Sequence, residues 1–361
     1  MAILDHNSDG ESQNSRTKSF EQRGQYTMPP ESAHHSHTLM AFPSIHSADG
    51  EEHLRALQAE VIRIANTISK FEPVHLYARS ELIEQAKSLA DSNVFVKPAI
   101  VTELWIRDSG PVYVYDTSNK NRIAVNFNFN YWGGKLALKG DGRLAAQIAE
   151  QSNENSVRSR LTIEGGGIEH DGEGTFLGTE SCIINDNRNK GMTKAEAEAE
   201  LRQVLGVTTF IWVPGVKGHE ITDYHIDALA RFVAPGVVLL SRPAPNAHPV
   251  VSKAFEETRA ILLKSKDAKG RSITVFECEE PDITKLGSPD QHNEVVASYA
   301  NYLLVNGAVV IPKFGQDKLD SQAFELFQQL FPSREIVQVL INMLPRTGGG
   351  IHCATQQVPQ I

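Results

Sequence analysis

Cysteine is scarce in this chain: three among 361 residues, at Cys182, Cys278 and Cys353, with no CxxC pair. An odd, scattered set excludes a disulfide framework and a cysteine-based zinc cluster, and it suits a reducing compartment. Basic residues are also short, with 35 Lys and Arg against 44 Asp and Glu, a formal charge of −9. A non-specific nucleic-acid binder needs a basic face to neutralise phosphates, so no nucleic-acid partner is expected. The acidic balance instead favours a small cationic partner through its summed field. No apolar run approaches the ~20 residues of a membrane helix, so no membrane partner is expected either. The opening MAILDHNSDGESQNSRTKSFEQRGQY lacks the apolar core of a signal peptide, and a cytoplasmic location follows as the expectation. That segment is polar throughout; residues 1–25 read as a disordered leader and 26–361 as a single domain. With 40% hydrophobic and 22% charged residues, wholesale disorder and fibrous repeats are excluded.

Helical periods alternate with strands from Met28 onward. Leu54, Leu57, Val61, Ile64, Ala65 and Ile68 recur at 3–4 spacing and predict an amphipathic helix over 52–70. Strands are expected at 74–78, 94–100, 111–116 and 122–130, with a helix over 80–90 capped by Ser80. Further strands are expected at 161–164, 174–184, 210–214 and 237–241. A capping box from Thr193 to Glu196 opens a helix that runs to Leu205. YLLV and AVVIP flank Asn306–Gly307 as a hairpin, AFELFQQLF is helical, and EIVQVL returns as a strand. Strand, strand, helix, strand therefore recurs, which predicts an α/β fold.

Four clusters carry candidate chemistry. Cys353 follows three glycines in RTGGGIHCATQQVP, with His352 beside it. Such a turn is an unusual setting for a core thiol, although a lone cysteine is commonly buried filler. Cys182 and Cys278 sit in strand-like apolar patterns and read as filler. A thiol of ordinary pKa ~8.5 is mostly protonated at neutral pH, so a nucleophile needs activation. His225 and Asp227 in DYHID share a face if the segment is a strand, and they also match a metal-binding His-x-Asp pair. Asp108 in WIRDSGP reads either as a site acid or as a turn residue paired to Arg107. The glycines of EGGGIEHDGEG fit neither a dinucleotide fingerprint nor a P-loop. One thiol, one histidine and several acids suit a planar guanidinium, which carboxylates grip bidentately and which favours a nearby thiolate.

The chain resembles the agmatine deiminases of the guanidino-group-modifying superfamily, relatives of peptidyl-arginine deiminases. The resemblance runs from about Met28 to Pro359. It rests on MPPE from Met28, WIRDSGP from Trp105, NYWGG from Asn130, EGG from Glu164 and DGEGT from Asp171. NRN from Asn187, HID from His225, PGVVLL from Pro235, Asn306–Gly307 and GGGIHCATQQVP from Gly348 follow in family order. The resemblance implies a fivefold pseudo-symmetric α/β propeller of ββαβ units with a central active site, no metal or organic cofactor, and a homodimer. It implies Cys353 as nucleophile, His225 as general acid and base, and Asp108 and Asp227 as holders of the guanidinium. Glu164, Trp105, Trp132, Glu220, Asp223 and Gly350 are the implied substrate contacts. The implied reaction is hydrolysis of a guanidine C–N bond, with agmatine giving N-carbamoylputrescine and ammonia.

The pattern departs from the family where the substrate's far end would sit. HEITDY from His219 to Tyr224 stands where the family has Asp-Glu-Asp-Thr-Asn-Gly, so acids are lost at His219 and Ile221, and Tyr224 replaces a glycine. Ser32, Leu39 and Phe42 stand where tryptophans are usual. A deiminase of free arginine, peptidyl arginine or another guanidino compound is therefore the alternative, and Arg346 the candidate partner for a substrate carboxylate. From another class, His34, His35, His37 and His46 with the His-x-Asp pair leave a metal-binding protein or metallohydrolase open. A catalytically silent protein of the same fold is the third alternative.

Overall fold

Apolar residues of alternating period two and period 3.6 assemble into five small sheets with helices packed on them. The structure, a computed structural model, describes residues 25–287 and 295–361. The expected leader, apart from Gln25, lies outside the described residues. Among them no helix is long and apolar enough to cross a membrane.

Each sheet carries the same unit: an antiparallel pair, a crossover helix, and a third strand parallel to the second. In the first, Val112–Asp116 pairs with Arg122–Asn126, and helix Leu144–Gln151 leads to the parallel strand Asn155–Arg158. Glu169–His170, Thr175–Thr179 and Thr209–Val213 repeat it around helix Lys194–Leu205. Ala230–Ala234, Val237–Arg242 and Thr274–Glu279 repeat it around Pro249–Lys264. Leu303–Val305, Ala308–Lys313 and Glu335–Leu340 do so around Asp317–Leu330. The last unit is completed by both ends of the chain. The C-terminal strand Thr355–Pro359 pairs antiparallel with His35–Ala41, which runs parallel to Val74–Ala78 across helix Glu51–Ile68.

The predicted helix over 52–70 forms because its apolar stripe faces inward. Leu57, Val61, Ile64, Ala65 and Ile68 are all buried against the sheet. Each such aliphatic side chain contributes roughly 1.5–3 kcal/mol over its exposed state. The Thr193 capping box is present, with the Thr193 side chain on the Glu196 N–H and the Glu196 carboxylate on the Thr193 N–H. The hairpin turns at Asn306–Gly307, where Gly307 takes a φ of +79°.

Five local expectations are corrected. Residues 161–164 form no strand; Glu164 instead enters a 3₁₀ turn over Gly165–Gly167. The strand expected over 174–184 stops at Thr179, and a helical turn, Glu180–Ile183, carries Cys182 and Ile183 into the core. The strand expected to Asn130 stops at Asn126, whose side chain accepts the Asn128 N–H and turns the chain. Helix 80–90 begins as a 3₁₀ turn over Ser80–Leu82 capped by Arg79 rather than Ser80. His225 caps and Asp227 sits within a 3₁₀ turn, Ile226–Ala228, rather than on a strand. The loop before that turn is wound by the Glu220 carboxylate, which accepts the N–H groups of Thr222 and Tyr224.

Candidate active site

The segments that join one sheet to the next converge. Asp108 lies between Val94–Pro98 and Val112–Asp116, Glu164 between Asn155–Arg158 and Glu169–His170, and His225 and Asp227 between Thr209–Val213 and Ala230–Ala234. Asn301 comes from the fourth connection and Cys353 from the fifth. The Cys353 sulfur is 3.5 Å from Asp227 Oδ2 and receives the Asn301 side-chain N–H at 3.2 Å. His225 Nε2 is 3.2 Å from Glu164 Oε2, and its Nδ1 is 3.7 Å from Asp108 Oδ1.

Each group is held by its neighbours. Asp108 accepts the Trp132 indole N–H at 2.9 Å on one oxygen and the Gly166 N–H at 3.0 Å on the other. Glu164 is gripped by both its oxygens to Arg188 Nε, at 2.8 and 2.9 Å, and Arg188 reaches Asp223 at 2.7 Å. Asp227 Oδ2 is 2.8 Å from His352 Nδ1, and His352 Nε2 is 3.0 Å from Glu31 Oε2. Asp227 Oδ1, by contrast, is buried with no hydrogen-bond partner among the described residues. A buried carboxylate oxygen left open is costly unless a donor arrives.

The glycine run places the thiol. Glu60, on helix Glu51–Ile68, accepts the N–H groups of Asn342, Met343 and Leu344 and so anchors the helix Met343–Thr347. Gly348 ends that helix at a φ of +103°. A Cβ at Gly349 would meet the Trp105 ring at 2.5 Å, and one at Gly350 would meet Asn301 Oδ1 at 2.4 Å. Gly166 is equally constrained: a Cβ there would lie 2.6 Å from His225 Nδ1, 2.9 Å from Asp108 Oδ1 and 3.2 Å from Asp227 Oδ2. Its bare backbone therefore forms one wall of the space between the three side chains.

The electrostatics follow from burial and crowded acids. Burial, with Asp227 and Glu164 nearby, raises the Asp108 carboxyl to about 6 against the pull of His225. For His225 burial favours the neutral ring, but Asp108, Glu164 and Asp227 outweigh it and raise the imidazole to about 9. Burial is outweighed at Glu164 too, where Arg188 and His225 hold the carboxyl low. Burial together with Asp227 and Asp108 pushes the Cys353 thiol well above its ordinary value. Cys182 and Cys278 are raised to about 12, chiefly by burial, and stay inert fillers. Cys353 alone of the three is partly exposed, at the wall of a cavity of about 170 Å³ that it shares with His225 and Asp227.

A family model for Porphyromonas-type peptidyl-arginine deiminases matches residues 27–359. The chain belongs to that family. The agmatine deiminase of Pseudomonas aeruginosa (strain LESB58) is 34% identical over 355 residues, spanning 92% of this chain and 95% of the relative. That of Stutzerimonas stutzeri (strain A1501) is 34% identical over 357 residues, again 92% and 95%. The solved structure of the agmatine deiminase of Enterococcus faecalis superposes with a TM-score of 0.84 at 27% identity, over 93% of this chain and 96% of that one.

Of the residues nominated from the family resemblance, Asp108, Glu164, His225, Asp227 and Cys353 come together. Trp132 reaches the site through Asp108, and Trp105 packs on Gly349. The Gly350 backbone lowers the Cys353 thiol, against the larger effect of burial. Glu220 lines the cavity, but its carboxylate is occupied by the backbone of its own loop. Asp223 is bound to Arg188 and, at 2.9 Å, to Lys135 Nζ, which with Arg188 holds its carboxyl at about 2. Both are positioning groups in this geometry. Leu39 and Phe42 are core residues with no exposure, and Ser32 gives its carbonyl to Arg334. Arg346 lies beside Gly287 and is not among the described residues that line the cavity.

The histidine cluster is structural. His35 binds Glu72 at 3.1 Å and the Glu31 carbonyl at 2.7 Å, while the His37 ring lies 3.8 Å from that of His75. Burial, chiefly, keeps His37 neutral by lowering it to about 2. Among the described residues no three His, Cys, Asp or Glu side chains gather to hold a metal. Asn301 and the Glu31–His352 pair escaped the sequence reading. Asn301 stands in the one inter-sheet connection to which no candidate had been assigned, and that place is the signal for it.

Proposed function

We propose that this chain is a guanidino-group deiminase that hydrolyses agmatine to N-carbamoylputrescine and ammonia, through a covalent intermediate on Cys353. The observation that carries the reading is the open oxygen of Asp227, a residue that lines a cavity with Cys353 and meets Asp108 across Gly166. A planar guanidinium supplies N–H donors to two carboxylates at once and, being a cation, offsets their burial. The same cation lowers the thiol by placing positive charge beside it, so the substrate activates its own nucleophile.

The thiolate attacks the guanidinium carbon, and the C–N bond to the departing nitrogen breaks as His225 delivers its proton. Ammonia leaves and an amidino thioether remains on Cys353. His225, now neutral, takes a proton from water, the hydroxide adds to the same carbon, and the C–S bond breaks to give the ureido product. Glu164, fixed by Arg188, orients the imidazole. Agmatine is favoured over arginine because, among the described residues, the cavity lining holds neither Lys nor Arg for a substrate carboxylate.

The five repeated units read as the blades of a fivefold α/β propeller, with residues 26–361 one catalytic domain; the cytoplasmic location and the homodimer belong to the same reading. Ammonia release from agmatine, arginine, a peptidyl arginine and simple guanidino acids tests it. Release from agmatine above all others is expected. Inactivity on every member overturns the reaction class.

A further inference from the structure

The cavity that opens on Cys353 has a further acid on its wall besides Asp227 and Glu220. Glu280 follows the strand Thr274–Glu279 and lines the same cavity as Cys353, His225 and Asp227. Its side chain has one hydrogen bond among the described residues, from Ser241 Oγ at 2.8 Å, and no Lys or Arg side chain pairs with it there. Burial therefore raises its carboxyl to about 7, a cost that an arriving cation relieves. Tyr224 lines the same cavity, and its phenol is raised by burial and by the charge of Glu280.

Tyr224 stands where the family resemblance has a glycine, and it keeps a left-handed backbone with a φ of +77°. A bulky residue in that region persists only where its surroundings hold it. Here they do: the Tyr224 N–H goes to Glu220 and its carbonyl accepts the Thr179 hydroxyl at 2.7 Å. His219, one of the two positions that have lost an acid, also lines the cavity. Between the polar groups the wall is apolar, with Leu229, Ala244, Val251 and Ile283 among its members. An apolar sleeve with Asp227 on its wall and Glu280 beside it, without a Lys or Arg partner among the described residues, suits an alkyl chain cationic at both ends.

We propose that Glu280 binds the terminal ammonium of the substrate and is a specificity-determining residue of this chain, with Tyr224 closing the wall beside it. This assignment rests on the deiminase reading above. It transfers the far-end charge recognition from the altered loop His219–Tyr224 to the connection after Glu279. Ser241 holds Glu280 in place and is itself 2.8 Å from Ser298 Oγ, in the segment that leads to Asn301.

The test compares agmatine with butylguanidine, which has the same guanidinium and alkyl chain but no amine, on wild-type enzyme and on E280Q. Glutamine keeps the size and accepts the Ser241 hydrogen bond. Loss of a charge partner in a part-buried site predicts a KM for agmatine raised about 10- to 100-fold in E280Q, with kcat little changed. The kcat/KM for butylguanidine stays within about twofold of wild type. A parallel fall on both substrates, or no change on either, overturns the role of Glu280 while leaving the deiminase reading intact. Wild-type enzyme that releases ammonia from neither overturns the parent reading and this one with it. Circular dichroism and the melting temperature of E280Q identify a folding defect, and E280D, which restores the charge, is expected to recover part of the agmatine KM.

Discussion

The Cys353 sulfur lies 3.5 Å from Asp227 Oδ2, so a carboxylate faces the thiol proposed as the nucleophile. The contact opposes ionisation, and burial and Asp108 oppose it further. The proposed mechanism therefore ties thiolate formation to the arrival of a cation.

Alkylation of Cys353 by iodoacetamide against pH measures this directly. The free enzyme is expected to react with a midpoint above the ordinary thiol value of ~8.5. Asp227→Asn removes one opposing charge and shifts the midpoint down. A free-enzyme midpoint below neutrality would mean a thiolate formed without substrate.

His225 is expected to be protonated at neutral pH, since its neighbouring acids raise it to about 9. The protonated form is the one that feeds ammonia departure, so kcat/KM should fall as pH rises through about 9. Glu164→Gln removes one of the supporting charges and moves that alkaline limb to lower pH. The stability effect has the same sign. A folded-state value above the unfolded one contributes stability that is complete below ~6.5 and is lost as pH rises through about 9. Urea unfolding across that window reads it, and a midpoint that does not fall there would contradict the assignment.

Gly166 tolerates no side chain, because a Cβ would stand 2.6 Å from His225 and 2.9 Å from Asp108. Gly166→Ala is expected to lower kcat/KM by at least about 100-fold while costing about 1–3 kcal/mol of stability, the usual range for overpacking. Steady-state kinetics beside a urea titration separates the two effects. Near-normal kinetics would show that the space between these side chains is not where the reaction occurs.

The fold was legible wherever local pattern and tertiary packing agree. The stripe on helix Glu51–Ile68, the Thr193 capping box and the Asn306–Gly307 turn each need only neighbouring residues. The segments that carry chemistry were harder to read as structure. The loop that leads into His225 is wound by a side chain, Glu220, that captures backbone N–H groups, which no periodicity records. Motifs brought Asp108, His225, Asp227 and Cys353 forward as candidates. Their partners were hidden by distance along the chain. Asn301 and Cys353 are 52 residues apart, and Glu31 meets His352 across 321. Glu280 stayed unremarked because a lone acid after a strand is ordinary until the cavity around it is seen.

The covalent role of Cys353 is tested most directly by quenching the enzyme with acid during turnover of agmatine and mapping intact and peptide masses. The expected result is an added amidino-alkyl group on the peptide carrying Cys353, which disappears when agmatine is exhausted, with no adduct and no ammonia from a folded Cys353→Ala variant. Ammonia release by Cys353→Ala at a rate comparable to wild type would contradict the mechanism.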